Sequence, residues 1–268
     1  MNDFLKKIIA GRRQDVRKAA KEIPLAEIQK MAKSRGQARS LIARLQSGPD
    51  GNRANIIAEI KRASPSEGVL RPDLNPAKLA REYEDSGAAA ISILTEPHYF
   101  QGKDSDLQEV RETAKLPILR KDFTVDPYQV FQSAALGADV VLLIVAALEL
   151  SLLKELYHAA NEANLEMIIE IHTLPELETA MQFPKAIIGV NSRNLTTLKT
   201  DISTAIVLAG AIPKQRISIA ESGIKCRREV ETLMKLGYRG FLIGTSLLKA
   251  KSPGVALAKL VGNQEGTK

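Results

Sequence analysis

The chain has 268 residues, of which 44% are hydrophobic and 26% are charged, enough to form the core of one large α/β domain or two small ones. Its net charge of +7 favours anionic partners, either a phosphorylated metabolite or nucleic acid, but an aromatic content of 4% without tryptophan disfavours a base-stacking surface. The low aromatic content makes nucleic-acid binding an unexpected primary role. No apolar run approaches the roughly 20 residues that cross a bilayer, so we predict no membrane span.

The N-terminus and the cysteine content indicate the compartment. Residues 1–24 contain only a short apolar patch within a charged pattern, so we expect no signal peptide. Cys226 is the only cysteine, which excludes an intramolecular disulfide, and three scattered histidines add no zinc signature. We therefore expect a cytoplasmic protein without a bound metal.

Residues 1 to about 47 are predicted to be helical. Their apolar residues recur at helical spacing, beginning with Phe4, Leu5 and Ile8. Pro24 divides the region into at least two helices, and the turn-rich stretch QSGPDGN at 46–52 separates it from the rest of the chain. We predict an N-terminal helical extension, residues 1–47, packed on a catalytic domain, residues 48–268.

Short apolar runs alternate with longer amphipathic segments after this break. The runs lie at residues 55–60, 89–94, 116–120, 139–145, 166–171, 186–190, 217–220 and 240–244. Each except the last is separated from its successor by a helix-like segment, and GVALAKLVG closes the series. Strands that are apolar on both faces and joined by helices indicate a parallel sheet.

This alternation predicts an α/β protein, a (β/α)8 barrel with an N-terminal helical extension, because eight strand–helix units fit a closed barrel better than an open sheet. An open doubly wound sheet is the alternative. It usually has a glycine-rich turn after its first strand, and EIKRASPSEG does not match G-x-G-x-x-G. In a barrel of this type the site lies at the C-terminal ends of the strands, so the polar residues there are candidates.

Charged residues end the first and third predicted strands. Side chains two residues apart share a face of a strand, which puts Glu59 and Lys61 on one side. They fit either an acid–base pair or a mutually neutralising structural pair. In LPILRKDFTVDPYQV (116–130), Lys121 and Phe123 share a face that points inward. The two residues predicted to face the surrounding helices are Arg120 and Asp122.

The fifth predicted strand carries a carboxylate among apolar residues. Burial should raise the pKa of Glu170 unless a lysine opposes it. A catalytic carboxylate and a salt bridge without catalysis are both compatible with this position. His172, which directly follows Ile171, is predicted to point away from the face of Glu170 and to have a structural role.

The last three strand ends add the remaining polar candidates, which are Asn191 and Arg193 in GVNSRNL, Glu221, Ser222 and Gly223 in IAESGI, and Gly244 and Thr245 in LIGTSLL. Small hydroxyl residues beside glycine supply backbone N–H groups and short donors. The ends of the seventh and eighth strands often hold a phosphate in barrels of this type. The strand ends together predict a phosphate-handling enzyme that uses acid–base chemistry without a metal.

The loop after the first strand, KRASPSEGVLRPDLNP (61–76), is long and contains two internal prolines and a glycine. This composition predicts a mobile lid over the mouth of the barrel. Replacing its acidic residue Glu67 by lysine is expected to speed the association of a phosphate ester, mostly at low salt.

Six segments, in order from about residue 55 to 250, together resemble the indole-3-glycerol-phosphate synthase family: IIAEIKRASPSEG, ISILTEPHYFQG, LPILRKDFTVDPYQV, GVNSRNL, AESGI and FLIGTSLL. The helical N-terminal region also fits that family's extension. The resemblance implies a (β/α)8 carbon–carbon lyase of tryptophan biosynthesis that uses no cofactor or metal. Its substrate would be 1-(2-carboxyphenylamino)-1-deoxyribulose 5-phosphate, which loses carbon dioxide and water on ring closure to indole-3-glycerol phosphate.

The resemblance also implies a role for each polar residue at the strand ends. Lys121 would be the general acid acting on the sugar carbonyl or hydroxyl, and Glu170 the general base. Lys61 would hold the substrate carboxylate or assist as a second acid, while Glu59 and Asn191 would orient the reacting groups. The other implied substrate contacts are Phe123 and Arg193 at the anthranilate portion, Glu221 among the active-site carboxylates, and Ser64, Ser222, Gly223, Gly244 and Thr245 at or near the phosphate.

Two other functions are compatible with parts of the sequence. A Schiff-base aldolase of a sugar phosphate would use Lys121 or Lys61 as its nucleophile. A binding protein would use the basic N-terminal helices on nucleic acid or a partner chain. We expect a small sugar-phosphate substrate, no nucleic-acid partner and no membrane partner. The sequence does not determine the oligomeric state, and a monomer is the form we expect.

Overall fold

A closed barrel of eight parallel strands occupies the centre of the chain in the computed structural model, which describes residues 3–47, 53–193 and 200–262. In chain order the strands are β1 Ile56–Ile60, β2 Ala63–Ser64, β3 Gly68–Val69, β4 Ala90–Leu94, β5 Ile118–Lys121, β6 Val140–Ile144, β7 Glu166–Ile171, β8 Ile187–Asn191, β9 Ser218–Glu221 and β10 Gly240–Ile243. The eight predicted strands are confirmed as β1 and β4 to β10. The short antiparallel hairpin of β2 and β3 lies in the first connecting loop and was not predicted.

Each barrel strand pairs with its successor in the barrel, and β10 closes the ring against β1. Ile57 of β1 is in register with Ala90 on one side and with Leu242 on the other. The open sheet is therefore wrong, because β1 has no free edge. The closed ring brings all eight C-terminal strand ends to one mouth.

Helices connect the strands, as the amphipathic segments predicted. In chain order the helices of the described residues are α1 Asp3–Glu22, α2 Leu25–Lys33, α3 Leu41–Gln46, α4 Pro76–Asp85, α5 Asp104–Thr113, α6 Pro127–Ala135, α7 Leu150–Glu162, α8 Leu174–Ala180, α9 Ser203–Ala209, α10 Arg227–Lys235, α11 Thr245–Leu248 and α12 Pro253–Val261. Polar caps start several of them, since the side chains of Asn75 and Asp126 accept backbone N–H groups of α4 and α6. No helix of the described residues is long and apolar enough to cross a membrane.

The N-terminal helices pack directly on the barrel. Arg12 of α1 is buried and donates hydrogen bonds of 2.9 and 2.8 Å to the two carboxylate oxygens of Asp122, which follows β5. At the start of α3, the backbone N–H groups of Leu41 and Ile42 donate to Glu166 at the start of β7. The region contains three helices in its described part, where at least two were predicted. The boundary at 47/48 stays a prediction, since most of QSGPDGN lies outside the described residues.

Candidate active site

A cavity of about 360 Å³ opens at the C-terminal ends of the barrel strands. Twelve of the thirteen predicted site residues line it, namely Glu59, Lys61, Ser64, Lys121, Phe123, Glu170, Asn191, Arg193, Ser222, Gly223, Gly244 and Thr245. Glu221 is the exception, because its carboxylate reaches the site only through its contact with Lys121. The prediction that these strand ends converge is confirmed.

Lys121 at the end of β5 is the centre of the charged cluster. Its Nζ lies 2.7 Å from Glu221 Oε2 and 3.4 Å from Glu170 Oε2. Burial alone would lower the pKa of Lys121, but the charges of Glu221 and Glu170 outweigh it and raise the pKa above its ordinary value. The side chain is therefore held as an ammonium, which can donate a proton but cannot act as a free amine.

The pKa values of the two carboxylates beside Lys121 are shifted in opposite directions. Burial would raise the pKa of Glu170, but Lys121 and His172 outweigh it and the pKa is lowered. Burial prevails at Glu221 and raises its pKa to about 7. Both share one ammonium, so they titrate as a pair. Glu170 is thus the member that stays ionised at neutral pH, which a general base requires.

Glu59 and Lys61 contact each other at the end of β1, and both are buried. Burial would raise the pKa of Glu59, but the charge of Lys61, followed by that of Lys121, lowers it. Since both side chains also line the cavity, the pair is open to a substrate. A neutralising pair and an acid–base pair both fit this arrangement, because an ammonium has three donors and Glu59 accepts from one of them.

The end of β8 joins the site to the first connecting loop. The Oδ1 atom of Asn191 accepts the backbone N–H of Arg193 at 3.0 Å, and the Asn191 side chain also hydrogen-bonds Glu170. Arg193 Nη1 donates to Ser66 Oγ between β2 and β3 at 2.9 Å. Nearby, Lys249 after α11 pairs with Glu67 of the same loop. The last two residues of GVNSRNL lie outside the described residues.

The ends of β9 and β10 form one side of the cavity. Ser222 and Gly223 adopt positive φ values of 65° and 78°, which turn the backbone sharply after β9. Gly244 and Thr245 follow β10 on the same side. Lys225, Ser246 and Lys249 also line the cavity but were not predicted. This side combines small donors with cations, as an anionic group requires.

The opposite part of the lining is apolar. Phe4, Leu5 and Ile8 of α1 line the cavity together with Phe100 and Phe123, whose ring centroids lie 6.3 Å apart. Helical periodicity identified the apolar face of α1, but no pattern in the sequence indicated which surface this face would cover. The N-terminal helix is therefore part of the cavity wall.

Two glycines leave space for carboxylates. A Cβ atom on Gly189 of β8 would lie less than 3.0 Å from Glu221 Oε1, and one on Gly244 would lie less than 3.0 Å from Glu59 Oε1. Contacts this short essentially never occur. Gly189 was not singled out in the sequence, because a lone glycine in a strand has several explanations.

The predicted orientation of His172 is wrong. Its Nε2 atom lies 3.5 Å from Glu170 Oε1, so the ring turns towards the carboxylate. The strand ends at Ile171, and strand alternation no longer governs the residue that follows. In contrast, Arg120 faces the helices as predicted and hydrogen-bonds Asp104 of α5 and Ser133 of α6.

Among the described residues, no cluster of three or more histidine, cysteine, aspartate or glutamate side chains is arranged to hold a metal ion.

Comparisons of the sequence with known proteins point to one family. The sequence model of the indole-3-glycerol phosphate synthase family matches residues 5–260. An indole-3-glycerol phosphate synthase of Polynucleobacter asymbioticus is 39% identical over 265 residues, which cover 97% of this chain and 99% of that protein.

Solved structures show the same barrel at low sequence identity. The 3-hexulose-6-phosphate synthase of Salmonella typhimurium has a TM-score of 0.63 at 13% identity, covering 77% of this chain and 96% of that one. A thiamine phosphate pyrophosphorylase from Pyrococcus furiosus has a TM-score of 0.56 at 17% identity, covering 78% and 94%. These two likenesses concern the fold alone.

Proposed function

The chain belongs to the indole-3-glycerol phosphate synthase family, and from this membership we propose how its own residues divide the reaction. The enzyme is a carboxy-lyase of tryptophan biosynthesis. It closes the pyrrole ring of 1-(2-carboxyphenylamino)-1-deoxyribulose 5-phosphate, and carbon dioxide and water leave. The steps require a proton donor for the sugar carbonyl, a place for the leaving carboxylate and a base for the dehydration.

Lys121 is the general acid in this proposal. The observation that carries it is the position of the Lys121 ammonium between Glu221 at 2.7 Å and Glu170 at 3.4 Å. Protonating the carbonyl oxygen makes its carbon electrophilic, so that the aryl carbon bearing the carboxylate attacks it. The hydroxyl formed in this way later leaves as water, which needs a second proton, either from Lys121 after solvent has reprotonated it or from Lys61.

Glu170 is the general base. Its lowered pKa keeps it ionised, and its Asn191 partner fixes the orientation of the carboxylate. Loss of carbon dioxide restores the aromatic benzene ring. Glu170 then removes a proton from the new ring carbon next to the nitrogen as the hydroxyl leaves as water, which completes the pyrrole ring. Lys61 holds the substrate carboxylate or acts as a second acid, and Glu59 keeps its ammonium in place.

The two ends of the cavity suit the two ends of the substrate. The aromatic lining, with Phe123 and Arg193, fits the anthranilate portion. The opposite side supplies Ser222, Gly223 and Thr245 for the phosphate, with Lys249 nearby. In this arrangement Glu221 acts on the substrate only through Lys121, which refines its expected role as a substrate contact.

The direct test is a fluorescence assay that follows indole formation from the aryl-amino ribulose phosphate. We expect turnover by the wild-type chain without an added metal or cofactor. Absence of indole fluorescence from folded protein would contradict the proposal.

A Schiff-base aldolase is the competing enzyme function. A nucleophilic lysine needs a lowered pKa, whereas the carboxylates beside Lys121 raise its pKa. We therefore expect no covalent adduct when the protein is treated with substrate and borohydride and then weighed by mass spectrometry. An adduct on Lys121 or Lys61 would favour the aldolase.

Ser222→Asp tests the phosphate end. The residue has a positive φ of 65°, which aspartate tolerates better than most residues, so the fold should survive while a carboxylate faces the phosphate. We expect substrate affinity in titration calorimetry to fall by at least about tenfold because like charges meet. Ser222→Asn is the neutral control of the same shape and should bind almost as the wild type does. Equal affinities of the two variants would place the phosphate elsewhere.

Glu67→Gln tests whether the first loop influences the approach of the substrate. The change releases Lys249 from its ion pair, in which the side chains of Lys249 and Glu67 are 54% and 34% exposed. We expect stopped-flow association to be faster by about two- to fivefold at low ionic strength and unchanged at high salt. Glu155→Gln, on the exposed side of α7, changes the charge equally and should have little effect. An equal change of the association rate in both variants would show that the loop has no specific influence on the approach of the substrate.

We also propose a cytoplasmic location and a monomer. The single cysteine fits a reducing compartment, and the proposed site draws all its residues from one chain. Light scattering at several concentrations tests the oligomeric state, and a mass that rises with concentration would contradict the monomer.

A further inference from the structure

His172 follows β7 directly and contacts two carboxylates. Its Nδ1 lies 3.3 Å from Glu176 Oε2 in the first turn of α8, and its Nε2 lies 3.5 Å from Glu170 Oε1. The backbone N–H of His172 also donates to Glu176 at 2.6 Å. The ring is therefore anchored at one side and directed at the proposed base on the other.

The environment of the ring favours its charged form. Burial would lower the pKa of His172, but Glu176 and Glu170 outweigh it and the pKa is raised, with a smaller contribution from Glu221 of β9. Lys121 of β5 is the cation that faces the same group of carboxylates, at 3.4 Å from Glu170. An imidazolium between Glu176 and Glu170 has a donor for each of them.

Nothing else in the described part of the chain satisfies Nε2 of the ring. The atom is buried and has no hydrogen-bond partner there. A buried polar atom without a partner is costly, and 3.5 Å is slightly longer than a normal hydrogen bond. Contacts of this kind commonly tighten when the substrate binds. The nearest group that can accept the proton is the carboxylate of Glu170.

We propose that His172 is a positioning residue for the reaction, which holds the Glu170 carboxylate through Nε2, is itself fixed by Glu176, and keeps Glu170 ionised until it takes up the substrate proton. The inference rests on the proposed role of Glu170 as the base. His172 and Glu176 do not line the cavity, so they act on the substrate only through Glu170.

Kinetics against pH test the proposal. Removing a positive charge beside Glu170 raises the pKa of this base, so His172→Leu should move the acid limb of kcat upward by about one pH unit. It should also lower the plateau of kcat, whereas KM changes little. His172→Gln keeps an N–H donor near Nε2 without the charge, and should recover the plateau but retain the shifted limb.

Thr173→Ala is the matched control. Thr173 caps α8, with its side chain accepting from Glu176 N at 3.4 Å, but it does not touch Glu170. This variant should lose thermal stability and keep the wild-type pH profile. An unshifted limb in His172→Leu, or an equal shift in Thr173→Ala, would overturn the proposal.

The ring itself provides a measurement that does not depend on activity. With three histidines in the chain, the 15N signals of His172 are identified by comparison with the His172→Gln variant. We expect its titration midpoint above the ordinary value of about 6.5, and a lower midpoint in Glu176→Gln. A wild-type midpoint below the ordinary value would contradict the inference.

Failure of this inference differs from failure of the proposed roles. If Glu170→Gln remains fully active, Glu170 is not the base and the proposed roles fail. If Glu170→Gln is inactive while the acid limb of His172→Leu stays at the wild-type pH, only the assignment of His172 is wrong.

Discussion

Lys121→Met should lower turnover by about 10²–10⁴-fold, the range for loss of a general acid. Methionine keeps most of the length of the side chain but carries no proton to donate. The proposed contacts of the substrate phosphate and carboxylate lie elsewhere, at the ends of β9 and β10 and at Lys61, so KM should change only modestly. Steady-state kinetics that show a fall in kcat with a nearly constant KM would identify a group that acts mainly in the transition state.

Arg120→Met is the control for this result, since it removes a cation from the adjacent position on β5. Arg120 is buried and hydrogen-bonds Asp104, Ser133 and Thr95 outside the cavity. Its loss should lower the free energy of unfolding by about 1–3 kcal/mol, because the buried hydroxyls of Thr95 and Ser133 lose their donor. Turnover per folded molecule should change far less, since Arg120 does not line the cavity. Arg120→Lys replaces it if the methionine variant does not fold. An inactive but stable Arg120 variant beside an active Lys121→Met would mean that the site is built on the other face of β5.

Glu170→Gln should likewise lower turnover by about 10²–10⁴-fold, the range for loss of a general base. Glutamine has nearly the same shape and can still accept hydrogen bonds from Lys121 and Asn191, but it cannot take up a proton. KM should remain close to that of the wild type. The acid limb of the pH–rate profile should disappear, because the group that must be ionised is absent.

Glu166→Gln is the matched control, since it lies at the opposite end of the same strand. Glu166 accepts the backbone N–H groups of Leu41 and Ile42 at the start of α3, so its change should lower stability without altering kcat. Two variants with the same loss of turnover would indicate that β7 is disturbed as a whole. A Glu170→Gln variant with an unchanged acid limb would assign the base to another residue, with Glu221 the first to consider because its pKa is raised to about 7.

The barrel was predictable because its pattern is repetitive. Runs such as VVLLI in β6 are apolar on both faces, and only helices on the outside and side chains on the inside can bury them. The hairpin of β2 and β3 was not predictable in the same way. Each strand has two residues, which is too few for alternation to appear.

The cavity was predictable wherever strand alternation applied. Lys61, Lys121 and Glu170 lie on inward positions of regular strands or one residue beyond them, and all three line the cavity. Strand alternation does not predict the direction of the His172 side chain, because the strand ends at Ile171. Phe4 depended on how a separate helix docks, and this is decided by long-range packing that a local pattern does not contain.

Gly189 and Gly244 limit which positions of this mouth can be changed. A methyl group at Gly189 would overlap the Glu221 carboxylate, and one at Gly244 would overlap that of Glu59. Shortening the carboxylate does not make room for either methyl group, because a Cβ atom on Gly189 would still lie 2.7 Å from Ile168 Cγ2 and one on Gly244 would still lie 2.9 Å from Glu59 Cβ. Laboratory evolution towards another chemistry would therefore vary the carboxylates of this mouth while both glycines stay fixed.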